Sequence, residues 1–329
     1  MRPAPAAALV VVAFLTLGVQ IAAAGQPAAA PDSLVGTYRL ISSEVRQGGS
    51  GEWVARDGFN TIGYIIYADT GHMAVQAMPR GRTLFANGQP TPVEAQAALR
   101  GYAAYFGTYT VDPAAGVVVH HRVGQINPGG AVDATRFFEF DGDRLILTPA
   151  PAEGGKAAAT TRIVWERLPA APLSAEARRF VGFYRLLYTD SYRERDGRLV
   201  FHGDENRARS ETSYIIYTPT GHMMVHMMLR EGRTPYAGAQ PTPEEALAAY
   251  RSYIGYFGRF TTYENHDPPF VMHNQQGMLR PGGHVDATTR FYMFDGDVLR
   301  LGGPPRLNDA GEVTGGHLYW QRLAPVAPR

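Results

Sequence analysis

The residues of this chain best suited to chemistry come in matched pairs. Val118, His120 and Arg122 alternate along one stretch, and Val271, His273 and Gln275 alternate along another. Arg136, Phe138 and Phe140 are answered by Arg290, Tyr292 and Phe294. His72, Ala74, Gln76 and Met78 are answered by His222, Met224, His226 and Met228. A spacing of two puts each set on one face of a β-strand. In a small barrel, an Arg beside alternate aromatics makes a polar anchor in an apolar cavity. The Arg would hold a carboxylate or enolate, and the His would donate or shuttle a proton. The competing reading satisfies the same groups inside the protein, through Arg–carboxylate and His–backbone contacts. The candidate ligand contacts are therefore His120, Arg136, His273, Arg290, Gln76, His226, Phe138 and Tyr292.

Other polar residues have plainer roles. His72 and His222 each follow a turn glycine and suit a local hairpin cap. Asp133 and Asp286, in a repeated Val-Asp-Ala-Thr, read as strand-entry residues. The run His222 to Met228 invites a Cu(I) reading, because thioether and imidazole are soft ligands. Alternation splits that run across two faces, and its counterpart keeps only His72, Met73 and Met78, so no metal site is assigned. Gly-x-Ser-x-Gly, His-Glu-x-x-His, a phosphate loop and a dinucleotide fingerprint are all absent from the sequence. No catalytic residue and no cofactor is assigned.

The elements that position these residues are written twice. Gly81 to Gly107 reappears as Gly232 to Gly258, with 17 of 27 positions identical. Thr91-Pro92-Val93-Glu94 and Thr242-Pro243-Glu244-Glu245 are capping boxes with Pro at the first helical position. Ala95, Leu99, Tyr102 and Phe106 continue at helical spacing. The pattern predicts an amphipathic helix of about 16 residues ending at Gly107, with an apolar stripe to bury against its barrel. Tyr105 and Tyr256 would lie on those helices. Around the helix, eight short strands are separated by turn signals such as Asp69-Thr70-Gly71 and Asp141-Gly142-Asp143. The fold class is all-β: two tandem eight-stranded antiparallel barrels, each with one inserted α-helix.

Composition bounds the rest. Lys and Arg total 31 against 30 Asp and Glu, for a net charge of +1, with no basic run that would suit nucleic acid. Cysteine is absent, which excludes disulfides and thiolate chemistry. Residues 1–24 carry Arg2, an apolar run and Ala22-Ala23-Ala24, the three parts of a secretory signal. The expected organisation is signal 1–24, leader 25–32, barrel one 33–168, linker 169–177 and barrel two 178–325. No stable membrane span is expected after signal cleavage, and the location would be secreted or periplasmic. Packing of the two barrels on each other is left open.

Val35-Gly36-Thr37-Tyr38-Arg39-Leu40, Ile-Tyr-x-x-Thr-Gly-His-Met, Tyr-Phe-Gly and Phe-Asp-Gly-Asp-x-Leu together resemble the bacterial lipocalin-like domain family. Both halves match from end to end. The resemblance implies a calycin-type barrel with a ligand-binding character. Gly36-Thr37-Tyr38 and Gly182-Phe183-Tyr184 stand where lipocalins carry Gly-x-Trp, and Arg167 and Arg322 match the arginine that packs over it. The functional reading is binding of a small hydrophobic or amphipathic molecule, with an acidic end for Arg136 or Arg290. The alternatives are an isomerase, cyclase or hydrolase using His120 or His273, and a non-catalytic envelope packing module.

Overall fold

The computed structural model describes residues 34–46, 51–151, 155–195, 198–202, 212–282 and 288–326. The expected signal and leader, and Asp286, lie outside the described residues. The first half runs β1 (Gly36–Val45), β2 (Val54–Ala55), β3 (Thr61–Tyr67), β4 (His72–Pro79), α1 (Pro92–Leu99), β5 (Ala103–Asp112), β6 (Val117–Gln125), β7 (Asp133–Asp141), β8 (Arg144–Pro149) and β9 (Thr161–Arg167). After α2 (Ala175–Phe180) the second half runs β10 (Gly182–Arg195), β11 (Arg198–His202), β12 (Ser213–Tyr217), β13 (His222–Met228), α3 (Pro243–Arg251), β14 (Tyr253–Tyr263), β15 (Phe270–Met278), β16 (Thr288–Asp295), β17 (Val298–Gly302), β18 (Arg306–Leu307) and β19 (Val313–Arg322). Each half is an antiparallel meander closed by pairing of its first and last long strands, β1 with β9 and β10 with β19. Two closed eight-stranded barrels result, with β2, β11 and β18 as short additions at their edges.

Strand alternation sorts the apolar residues into three cores. Tyr38, Ile65, Tyr67, Val75, Val118, Leu145 and Trp165 fill barrel one. Tyr184, Ile215, Tyr217, Val225, Val271, Leu299 and Trp320 fill barrel two. The residues between them along the same strands, including Tyr64, Ile66, Ala74 and Phe106 with Tyr214, Ile216, Met224 and Phe257, form a third core in the seam between barrels. Runs such as Tyr64-Ile65-Ile66-Tyr67 are apolar at every position because both of their faces are covered.

Each barrel closes at its base in the manner the first-strand motif implies. The Arg167 guanidinium lies 4.8 Å from the centre of the Tyr38 ring, and Arg322 lies 4.7 Å from that of Tyr184. The Tyr38 hydroxyl donates to the Leu34 carbonyl at 3.1 Å. At the equivalent place in barrel two, α2 brings in Phe180, which is fully buried against Tyr217, Tyr292 and Phe294. Ser174 caps α2 by accepting from the Ala177 amide at 3.1 Å. This helix straddles the linker end expected at 177 and belongs physically to barrel two.

The repeated helix departs from expectation. Both capping boxes form: the Glu94 amide donates to Thr91 Oγ1 at 3.3 Å, and the Glu245 amide donates to Thr242 Oγ1 at 3.2 Å. Yet α1 spans only 8 residues and α3 only 9. Gly101, at φ +75°, turns the chain out of α1. From Ala103 onward the backbone pairs with β4, so Phe106 is a strand residue opposite Ala74. Sheet pairing with both faces buried outweighs the helical spacing of Tyr102 and Phe106. Nor does either helix close its own barrel. The two pack on each other, with Ala98, Ala246 and Ala249 buried, and Gln96 Nε2 donates across to the Pro241 carbonyl at 2.7 Å.

The seam has an approximate two-fold symmetry written in side chains. Tyr64 packs on Phe257 and His222, while Tyr214 packs on Phe106 and His72. Arg82 donates to the Leu279 carbonyl at 3.0 Å, and Arg233 donates to the Ile126 carbonyl at 2.6 Å. A side chain at Gly129 would overlap Pro235, and one at Gly282 would overlap Leu84. No helix among the described residues is long and apolar enough to cross a membrane.

Candidate functional site

At the centre of each barrel a buried histidine is held between two tyrosines. Tyr67, at the end of β3, points inward, and its hydroxyl lies 2.7 Å from His120 Nε2. Tyr105, near the start of β5, places its hydroxyl 3.0 Å from His120 Nδ1. Barrel two repeats this with Tyr217 at 2.8 Å from His273 Nε2 and Tyr256 at 3.0 Å from Nδ1. Both imidazoles are 0 % exposed. Burial, reinforced by Arg136 and Arg122, pushes the His120 pKa down to about 3. Burial and Arg290 do the same to His273, also about 3. Burial raises the four phenols above their ordinary range. At neutral pH each unit is thus an uncharged Tyr–His–Tyr chain.

The Tyr-Phe-Gly motif builds this chain. Tyr105 points inward to His120, and Phe106 points outward into the seam. Gly107 sits where β6 bulges: Phe106 opposes Gly124 and Gly107 opposes Arg122, leaving Val123 unpaired. A Cβ on Gly107 would overlap the His121 carbonyl, and one on Gly258 would overlap the Asn274 carbonyl. Only glycine tolerates that approach. The bulge turns Arg122 toward Tyr105, with the guanidinium 4.5 Å from the ring centre.

Proton counting shows what the chain offers. Two phenols and one neutral imidazole carry three protons, but only two contacts join them. Whichever tautomer holds, one phenolic proton remains beyond the bonds within the chain. Two further donors make no hydrogen bond among the described residues: Trp165 Nε1 in barrel one and Trp320 Nε1 in barrel two. Both indoles are buried and occupy equivalent positions on β9 and β19. Buried donors without acceptors are costly and uncommon in folded proteins. A His with both nitrogens engaged and a pKa near 3 is a weak base at neutral pH, so the unit is built to hydrogen-bond rather than to abstract protons.

The eight candidates from the sequence separate in space. His120, Arg136, His273 and Arg290 come together with the tyrosine chains; Arg136 and Arg290 act electrostatically on the histidines beside them. Their Nη1 atoms donate to the neighbouring carbonyls of Thr135 at 2.8 Å and Thr289 at 2.9 Å. Phe138 belongs to the barrel-one core. Tyr292 packs on Phe180 and lines a cleft of about 380 Å³ at the base of barrel two with Glu176, Arg179 and Glu264.

Gln76 and His226 do not face a barrel cavity. They share the outward face with Ala74 and Met224, and they meet across the seam. Gln76 Nε2 donates to the Val225 carbonyl at 2.7 Å and lies 3.4 Å from His226 Nε2. Tyr102 donates to Gln76 Oε1 at 2.7 Å, and Tyr253 lies 2.6 Å from His226 Nδ1. Burial pushes His226 down to about 3. His72 and His222 keep their hairpin role, each 3.1 and 2.9 Å from the turn hydroxyls of Thr70 and Thr220.

Sequence reasoning missed Tyr67, Tyr217, Trp165 and Trp320, and it put Tyr105 and Tyr256 on a helix. One signal was available: Tyr105, Gly107, Tyr109 and Val111 alternate, as do Tyr256, Gly258 and Phe260.

A lipocalin-like domain model matches residues 35–168 and again 181–323, the two barrels that carry these units. The chain belongs to the lipocalin-like domain family. Each lipocalin-like barrel therefore carries its own copy of the Tyr–His–Tyr chain. No curated protein shows a significant match. Among solved structures, a protein with unknown function from the DUF3598 family of Nostoc punctiforme aligns at 11% identity, covering 88% of this chain and 96% of that one, with a TM-score of 0.20. The vaccine antigen transferrin-binding protein B of Haemophilus parasuis aligns at 7% identity, covering 83% and 63%, with a TM-score of 0.20.

Proposed function

We propose that each barrel binds a small amphipathic molecule whose acidic, hydrogen-bond-accepting end meets the Tyr–His–Tyr chain and Arg136 or Arg290. The apolar part would lie among the interior aliphatic and aromatic side chains. The observation that carries this reading is the surplus of buried donors repeated in both barrels: one phenolic proton and the Trp165 or Trp320 N–H. A carboxylate supplies acceptors and no donor, which is the complement of such a lining. Family membership agrees with a barrel built around a ligand, and the signal-like segment at 1–24 supports an exported protein.

Native mass spectrometry of protein purified from its own host tests the reading, together with titration of tryptophan fluorescence by medium-chain monocarboxylates. The expected result is up to two bound molecules per chain and a fluorescence change from Trp165 and Trp320. Two empty barrels, with fluorescence unmoved across the series, would overturn it. The mass of the same preparation reports export, since a mature chain should begin at Gly25.

A further inference from the structure

Position 122 and its counterpart 275 sit at the same place in the two barrels, opposite Gly107 and Gly258 beside the bulge. Barrel one has arginine there and barrel two has glutamine. Arg122 donates to Gln125 Oε1 at 3.1 Å and to the Ala131 carbonyl at 3.2 Å. Its buried Nε makes no hydrogen bond among the described residues. Burial is the main cost to the Arg122 charge; Tyr105 offsets part of it, and the Arg136 charge adds repulsion. Neither makes an ion pair among the described residues; the nearby Asp133 is taken up by His121 at 2.8 Å. In barrel two the corresponding groups are Arg290 and the Gln275 amide, whose Nε2 contacts Thr288 Oγ1 at 3.1 Å. Charge at the two binding positions is therefore +2 in one barrel and +1 in the other.

Two partly buried guanidiniums in one barrel, neither with an anionic partner among the described residues, are balanced by a doubly charged anion, and one is matched by a singly charged anion. We infer that the barrels hold different head groups: barrel one takes a dianionic end, such as a phosphate monoester, and barrel two takes a monoanionic carboxylate. This inference rests on the binding reading above. It makes the protein a carrier of two chemically distinct amphiphiles rather than two copies of one.

The test uses the full chain, with dodecyl phosphate and dodecanoate as probes in isothermal titration at pH 8. Wild-type protein should bind one equivalent of dodecyl phosphate at least about tenfold more tightly than a second, as one extra charge-assisted contact implies. Arg122→Gln should abolish that difference, and Gln275→Arg should create a second tight site. Circular dichroism confirms that both variants fold, and Gln275→Arg keeps the idea exposed even if Arg122→Gln does not. Two equal dodecyl phosphate sites in wild-type protein would overturn the inference while leaving the binding reading intact, as would variants that shift neither site. Binding of neither probe would overturn both.

Discussion

Lowering the pH from 7 to 5 should destabilise this protein by at least about 6 kcal/mol, the share carried by its three fully buried histidines. His120, His226 and His273 are fully buried and titrate near 3 in the folded chain, against 6.5 in an unfolded one. In that window the unfolded chain binds protons that the folded chain refuses. Stability is therefore fully present above pH 6.5, falls as the pH falls, and reaches its full loss only below about 3. The slope approaches about 1.4 kcal/mol per pH unit for each group, or about 2 kcal/mol apiece between pH 7 and 5. The three side chains lie in three different cores, so their contributions should add. Urea unfolding at both pH values and constant ionic strength measures the difference. His120→Gln, His226→Gln and His273→Gln should each flatten the pH dependence by about 2 kcal/mol, whatever their effect at pH 7. Equal midpoints for wild-type protein at pH 7 and 5, or variants that keep its full slope, would refute the argument by showing imidazoles that protonate in place.

Three further perturbations probe the base and the seam. Phe180→Ala removes the aromatic plug of barrel two and should cost about 3–5 kcal/mol by denaturant unfolding, more than Leu34→Ala costs barrel one if the larger side chain fills more of its base. Gly129→Ala sets a side chain against Pro235 at a residue with φ +72°, so a loss of at least about 1 kcal/mol is expected from the backbone alone. Arg82→Ala and Arg233→Ala each leave a carbonyl of the other barrel without its charged donor; about 2 kcal/mol per substitution is expected, and similar values would confirm that the seam works the same way in both directions.

The barrels were legible because turn chemistry and period-two patterning agree along nearly the whole chain. Asp-Gly and Thr-Gly turns bound strands whose inward residues are apolar, and Gly36-x-Tyr38 with Arg167 marks the base. The capping boxes at Thr91 and Thr242 were also readable, since a cap is a local matter of four residues. The length of the helix was not. Ala95, Leu99, Tyr102 and Phe106 keep helical spacing only because a short helix and a following strand each bury residues at intervals that happen to join. His120 and His273 could be placed inside, but their partners could not: Tyr67 comes from a strand 53 residues away, and such pairing depends on barrel closure. Gln76 and His226 were misplaced for a related reason. Alternation identifies two faces of a strand without saying which is the interior, and here both are buried. The absence of any polar alternation in Tyr64 to Tyr67 and in Tyr214 to Tyr217 was the visible sign of that second covering.

The seam also sets a timetable for synthesis. Tyr64, Ile66, Tyr102 and Phe106 are made early, but the Leu279 side chain that helps cover them follows Phe106 by 173 residues (279 − 106). Barrel one closes only with β9, so over the 112 residues from Arg167 to Leu279 (279 − 167), roughly 6 to 22 s at ordinary elongation rates, a finished first barrel shows a bare aromatic wall. Until its own second half arrives, that wall fits the second half of any neighbouring chain equally well. Crowded ribosomes making this protein should thus yield interlocked dimers with exchanged halves, and a holding chaperone acting on the first half should suppress them.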